Sequence, residues 1–338
     1  MIREAIDTLV SGNSLNFEQA TGVMEEIMGG EATPAQIAAF ITALRIKGET
    51  VDEIAGMASV MRAKAIPVMV TPPVIDTCGT GGDNCSTINI STAAAFVTAG
   101  AGLKVAKHGN RAITSHCGSA DVLEALGVKI DLGAEAVARC LETAGIGFMF
   151  APIFHPAMKY AAVPRREIGI RTVFNILGPL TNPARAESQV IGVASEELGG
   201  KIASVLHRLG TKHSLVVHSL DGMDEISTSG KSLVWEVNKD GVLPPYEVSP
   251  QFFGFKSARL AEIKGGTPEE NAKILRRILA GDSGPRRDAV VMNAAAALVA
   301  GNRAHDLKEG ARLAEEAIDN GKALKKLEGL INVSQSLG

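Results

Sequence analysis

The residues best suited to chemistry follow one short apolar run. Behind Val74, Ile75 and Asp76 stand Thr77, Cys78, Gly79, Thr80, Gly81, Gly82 and Asp83. Three glycines in such a loop let backbone N–H groups approach an anion closely, which is how phosphate-holding loops work. No Gly-Lys-Ser/Thr follows, so an ATPase loop is excluded, and Asn84 takes the place of the third glycine of a dinucleotide fingerprint. A tight structural turn is the plain alternative for the glycines alone.

The loop runs into Ser86–Thr92, where Thr87, Asn89, Ser91 and Thr92 offer short hydroxyl and amide groups just before an Ala-rich helix expected over 93–100. A helix N-terminus favours phosphate through its free N–H groups and dipole, although Ser91 and Thr92 equally suit capping. A short strand expected over 103–106 then delivers Lys107, His108, Gly109, Asn110 and Arg111 at its end. Two cations and an amide on one turn fit a phosphorylated substrate, or a solvated surface turn. His108 reads as either a packed histidine or an acid–base group. Further on, Asp224 and Glu225 are adjacent carboxylates in a Gly-containing loop after the apolar run 214–218, and on spacing alone they are ordinary surface acids.

These groups need elements to hold them. In the first 65 residues, Asn16 with Gln19, Thr33 with Gln36 and Thr50 with Glu53 mark three helix starts by the capping-box pattern, each followed by apolar residues at helical spacing. Gly48 is a helix stop, and Pro67, Pro72 and Pro73 end this helical unit. From Val74 onward, short apolar runs alternate with helical stretches, which predicts a mainly parallel sheet flanked by helices: an α/β fold whose ligands gather beyond the carboxyl ends of the strands.

The bulk composition narrows the function classes. The 338 residues carry 34 Lys+Arg against 37 Asp+Glu, with no long run of like charge and one Trp, so nucleic-acid binding is disfavoured. Cys78, Cys85, Cys117 and Cys140 lack zinc-ligand spacing and are expected to be reduced thiols of a cytoplasmic protein. The most apolar stretches are short and interrupted, so no membrane span is expected, and the N-terminus reads as an amphipathic helix.

Taken together, GTGGD at 79–83, NIST at 89–92, KHGNR at 107–111 followed by GSADVLEALG, the stretch 155–183 and DGMDEIS at 221–227 resemble the anthranilate phosphoribosyltransferase family. The resemblance covers most of the chain. It implies the nucleoside-phosphorylase-like fold, with a small helical domain over 1–66 joined by a returning segment near 164–178, and a large α/β domain over 72–163 and 179–338. It further implies transfer of phosphoribosyl from its pyrophosphate to the amine of anthranilate, a tryptophan-biosynthesis step, by a homodimer that uses two magnesium ions per subunit.

Carried over by position, Gly79, Gly82, Asp83, Thr87, Asn89, Ile90, Ser91, Thr92, Lys107, Ser115 and Ser119 meet phosphoribosyl pyrophosphate. Gly79, His108, Asn110 and Arg165 meet anthranilate. Ser91, Asp224 and Glu225 hold magnesium, and Lys107, Asp224 and Glu225 carry catalysis. A pyrimidine nucleoside phosphorylase and a nucleic-acid-binding relative of the same fold are the alternatives, and KHGNR and DGMDEIS argue against them.

Overall fold

A computed structural model describes residues 1–112 and 116–338. The chain opens with four helices: α1 (Ile2–Val10), α2 (Phe17–Gly29), α3 (Pro34–Lys47) and α4 (Val51–Lys64). The three capping boxes read from the sequence close reciprocally at the starts of α2, α3 and α4. Each satisfies two N–H groups that have no partner inside the helix. Gly48 ends α3 at φ 87°, a conformation that costs glycine little.

Among the described residues eight strands make one sheet. Strands β1 (Ile75–Gly79), β2 (Val105–Gly109), β3 (Ile146–Phe150), β4 (Ser188–Gly192) and β5 (His213–Ser219) lie parallel in the order β3-β2-β1-β4-β5. The remaining strands, β6 (Ser232–Asn238), β7 (Gly241–Val242) and β8 (Tyr246–Val248), add an antiparallel edge at β5. The sheet is thus mainly parallel, as expected, with an antiparallel edge. The parallel strands need long crossovers, and helices supply them.

These helices are α5 (Ile90–Gly100), α6 (Ser119–Ala125), α7 (Ala134–Thr143), α8 (Ala151–Phe154), α9 (Lys159–Ile168), α10 (Phe174–Leu177) and α11 (Glu196–Arg208). Four more close the chain: α12 (Pro268–Leu279), α13 (Pro285–Ala300), α14 (Leu307–Asp319) and α15 (Lys322–Ser336).

Two apolar cores meet the two faces of the sheet. Val190, Leu215, Val217 and Val234 point into one, with α5 and α13. Their chain neighbours Ile191, Val216 and Trp235 point into the other, with α1 to α4, α11 and residues of α9 and α10. This is the period-two alternation of a strand buried on both sides. The Ala-rich α13 is buried from Ala289 to Ala300 because α5 and α14 pack against it, and small side chains allow close approach. Among the described residues no helix is long and apolar enough to cross a membrane.

Candidate active site

Strands β1 and β4 end side by side, with Gly79 opposite Gly192. The missing side chains make room for Asp224, whose carboxylate and backbone occupy the space a Cβ on either glycine would need. Asp224 Oδ2 accepts a hydrogen bond from Gly81 N at 2.7 Å, and Glu225 Oε1 accepts one from Ser91 N at 3.1 Å. Each carboxylate thus takes an N–H donor from the glycine loop or the start of α5. Burial, reinforced by the neighbouring Asp83, raises Asp224 to about 7; burial and Asp224 together push Glu225 well above the carboxylate range. Like charges crowded this way are hard oxygen donors in want of a cation. Among the described residues no set of three or more His, Cys, Asp or Glu forms a cage. Two carboxylates and a hydroxyl fit magnesium, which binds few protein ligands and completes its shell with water and phosphate oxygens.

Lys107 and His108 lie inside β2, which starts two residues and ends three residues later than expected. Lys107 is 3% exposed and donates to Thr77 O at 2.5 Å, with Ser91 Oγ at 3.5 Å. Burial lowers its pKa while Asp76, Cys78 and Glu225 oppose that shift. Asp76 anchors the strand pair from beneath, accepting from His108 N at 3.2 Å and from Asn182 Nδ2 at 2.8 Å. The expected pair of cations on one turn is corrected here. Arg111 is exposed and occupied by Asp121 at 3.0 Å and Glu124 at 2.7 Å, which leaves Lys107 as the buried cation.

A cavity of about 330 Å³ is lined by Gly79, Gly82, Asp83, Thr87, Asn89, Ile90, Ser91, Thr92, Lys107 and Ser119, together with Asp224 and Glu225. Gly81 and Gly82 take φ of 64° and 79°, so both loop glycines have a conformational reason. Helix α5 starts at Ile90, earlier than expected, so Ser91 and Thr92 sit in its first turn and Asn89 precedes it. Ile90 contributes an apolar side chain, and its N–H is used by Ile88 O at 2.8 Å. The Thr80 and Thr92 hydroxyls are buried with no partner among the described residues. Ser115 lies outside the described residues.

A second cavity of about 440 Å³ adjoins the first, and Thr80, His108, Asn110 and Asn175 line both. Its wall is mostly apolar, with Pro152, Met158 and Phe174, and Arg165 enters from α9. The Arg165 guanidinium lies 5.1 Å from the Phe174 ring centre, and burial alone lowers its pKa. Among the described residues no acid pairs with it, so the guanidinium is suited to an incoming carboxylate. Gly79 reaches only the first cavity.

The model of the glycosyl transferase family, a/b domain, matches residues 71–324, and that of the helical bundle domain matches residues 3–65. Anthranilate phosphoribosyltransferase of Dehalococcoides mccartyi is 61% identical over 338 residues, 100% of this chain and 99% of that one. The chain belongs to the anthranilate phosphoribosyltransferase family. Among solved structures, the family's enzyme from Thermus thermophilus is 45% identical with a TM-score of 0.92, covering 98% of this chain and 99% of its own. The Saccharomyces cerevisiae enzyme, in complex with PRPP and Mg, is 30% identical with a TM-score of 0.91, covering 99% and 98%.

Within this family frame, several cavity residues carry no role in the sequence reading. Arg171 donates to Thr80 O at 3.0 Å, and its guanidinium fills the space beside Gly82. His155 packs its ring 5.0 Å from that of His108, and burial holds the two at about 4 and about 3. Gly265 and Gly266 line the first cavity from a second glycine turn ahead of α12, and Asn271 lines it from the first turn of α12. That turn had a signal: two glycines directly before the capping pair Thr267 and Glu270. Arg171 and His155 lie in the stretch 155–183 that carries the family resemblance, which assigned neither of them a role.

Proposed function

We propose that the chain transfers the phosphoribosyl group of 5-phosphoribosyl 1-pyrophosphate to the amine of anthranilate. The products are N-(5-phosphoribosyl)anthranilate and pyrophosphate, the second step of tryptophan biosynthesis from chorismate. One observation carries the reading: an anion-suited cavity with two crowded carboxylates opens, past His108 and Asn110, into an apolar cavity with Arg165, which pairs with no acid among the described residues. The relatives' names and the ligands of the yeast enzyme support it.

In the reaction the ribose C1–O bond to pyrophosphate breaks, a C1–N bond forms and the amine gives up a proton. An aromatic amine has its lone pair free at neutral pH, so placement and charge stabilisation do most of the work. Gly79, Gly82, Asp83, Thr87, Asn89, Ile90, Ser91, Thr92, Ser115 and Ser119 receive the sugar and its phosphates, and Lys107 places a fixed charge beside the departing oxygens. Arg165 pairs with the anthranilate carboxylate while Asn110 and His108 face the amine. Magnesium, for which Asp224, Glu225 and the Ser91 hydroxyl are the holders, supplies charge neutralisation of the pyrophosphate oxygens. Two ions per subunit, a homodimer and a cytoplasmic location belong to the same proposal. Exposed Val10 and Ile46, at 67% and 82%, support an interface on the helical lobe.

The test is pyrophosphate release from phosphoribosyl pyrophosphate with and without anthranilate, and with and without magnesium. Release that depends on both is expected. Release indifferent to anthranilate, or phosphorolysis of thymidine or uridine instead, overturns the proposal.

A further inference from the structure

Asn271 sits on α12, remote in sequence from the glycine loop and outside every motif read above. It is 1% exposed, and its amide is used across element boundaries. Asn271 Oδ1 accepts from Gly266 N at 2.8 Å, and Nδ2 donates to Asn89 Oδ1 at 2.9 Å; Asn89 Nδ2 in turn donates to Cys117 O at 3.0 Å. Asn89 occupies the cap position of α5, where an asparagine ordinarily bonds the helix's own N–H groups, yet it makes no such bond. Its side chain is committed to the relay.

The relay has one possible direction. Cys117 O can only accept and Gly266 N can only donate, so both amides between them are fixed in orientation. The turn it holds is close-packed as well: a Cβ on Gly265 would come 2.6 Å from Asn271 Oδ1 and 2.8 Å from Thr87 O. Gly265 N donates to Ser86 O at 2.9 Å and Ile88 N to Ile263 O at 3.1 Å, tying the turn to the far end of the glycine loop. Asn89, Cys117, Gly266 and Asn271 all line the cavity assigned to the activated sugar.

We infer that Asn271 is a positioning residue for phosphoribosyl pyrophosphate. Through Asn89 it sets the start of α5, the second glycine turn and the segment leading to Ser119 in one mutual arrangement before the substrate's phosphate arrives. The inference rests on the phosphoribosyl reading. Asn271→Asp tests it because a carboxylate has no donor for Asn89 Oδ1, and turning Asn89 over would set its oxygen against Cys117 O.

In the full-length chain, Asn271→Asp is expected to raise the KM for phosphoribosyl pyrophosphate about tenfold, the scale of one lost buried hydrogen bond. The KM for anthranilate and kcat should stay within about twofold. A merely structural role would instead lower the melting temperature and the active fraction, hence kcat, and leave both KM values alone; that pattern overturns the inference, as does an unchanged phosphoribosyl pyrophosphate KM in folded protein. If Asn271→Asp does not fold, Asn271→Ala removes the relay without adding charge, and an increase of about fivefold in the same KM is expected. An inactive wild-type protein in the same assay would sink the phosphoribosyl reading and the relay with it. An active wild type beside an indifferent variant sinks the relay alone.

Discussion

Gly192→Ala isolates the geometry of the acidic pair without touching a charge. The Cβ it introduces would lie 2.5 Å from the Asp224 carbonyl carbon and 3.3 Å from its Cα, and would overlap the carbonyl oxygen. Backbone cannot swing aside as a long side chain does, and a real Cβ needs about 3 Å or more from such atoms, so the loop bearing Asp224 and Glu225 must retreat by roughly 1 Å. A misplacement of that size at a reacting centre costs on the order of 100-fold in rate, about 2.7 kcal/mol. Crowding of a filled site should also lower stability by about 1–3 kcal/mol. The assay is pyrophosphate release at saturating magnesium and both substrates, beside a thermal melt. Gly230→Ala is the control, since a Cβ there meets nothing within 4 Å, and its turnover should match wild type within about twofold. Wild-type turnover by a folded Gly192→Ala protein would refute the claim that the glycine pair exists to seat Asp224.

Arg165→Ala should raise the KM for anthranilate about tenfold or more with kcat little changed, the mark of lost ground-state binding; an unchanged KM removes Arg165 from that cavity. Glu225→Ala should lower kcat on the order of 100-fold at saturating magnesium, about 3 kcal/mol, and normal turnover would reject its metal role. His155, 6% exposed and held at about 4, titrates at 6.5 when unfolded, so the unfolded chain binds more protons below that value. Its penalty is absent above about pH 6.5 and grows as pH falls toward 4. The stability advantage of wild type over His155→Phe, from urea midpoints, should therefore shrink by about 2 kcal/mol between pH 7 and pH 5, and a pH-independent difference would refute the assignment.

Much of this architecture is legible locally. The capping pairs at Asn16, Thr33 and Thr50 involve residues three apart, so the chain declares those helix starts before any tertiary contact forms. The five parallel strands announce themselves as buried apolar runs. The antiparallel edge had a signal of its own, the Asp240-Gly241 turn that joins β6 to β7, but the apolar run 233–235 reads like another buried parallel strand. Lys107 and His108 read as loop residues because polar side chains seldom fill a buried strand, and here Asp76 and Thr77 make that tolerable. The contacts of Arg171 and Asn271 were invisible for a different reason. Their partners Thr80 and Asn89 are 91 and 182 residues away, and no local pattern encodes such a meeting.

The helical start of the chain shares its apolar packing with Ile191, Val216 and Trp235 on the sheet. A fragment beginning near Pro67 would keep α11 on the sheet but strip the outer faces of α9, α10 and α11, on which α2, α3 and α4 pack, and should aggregate rather than fold. The four opening helices are accordingly no detachable accessory: grafting them from a distant relative requires matching the faces of α9, α10 and α11 that they cover, and any drift in one partner restricts what the other can accept.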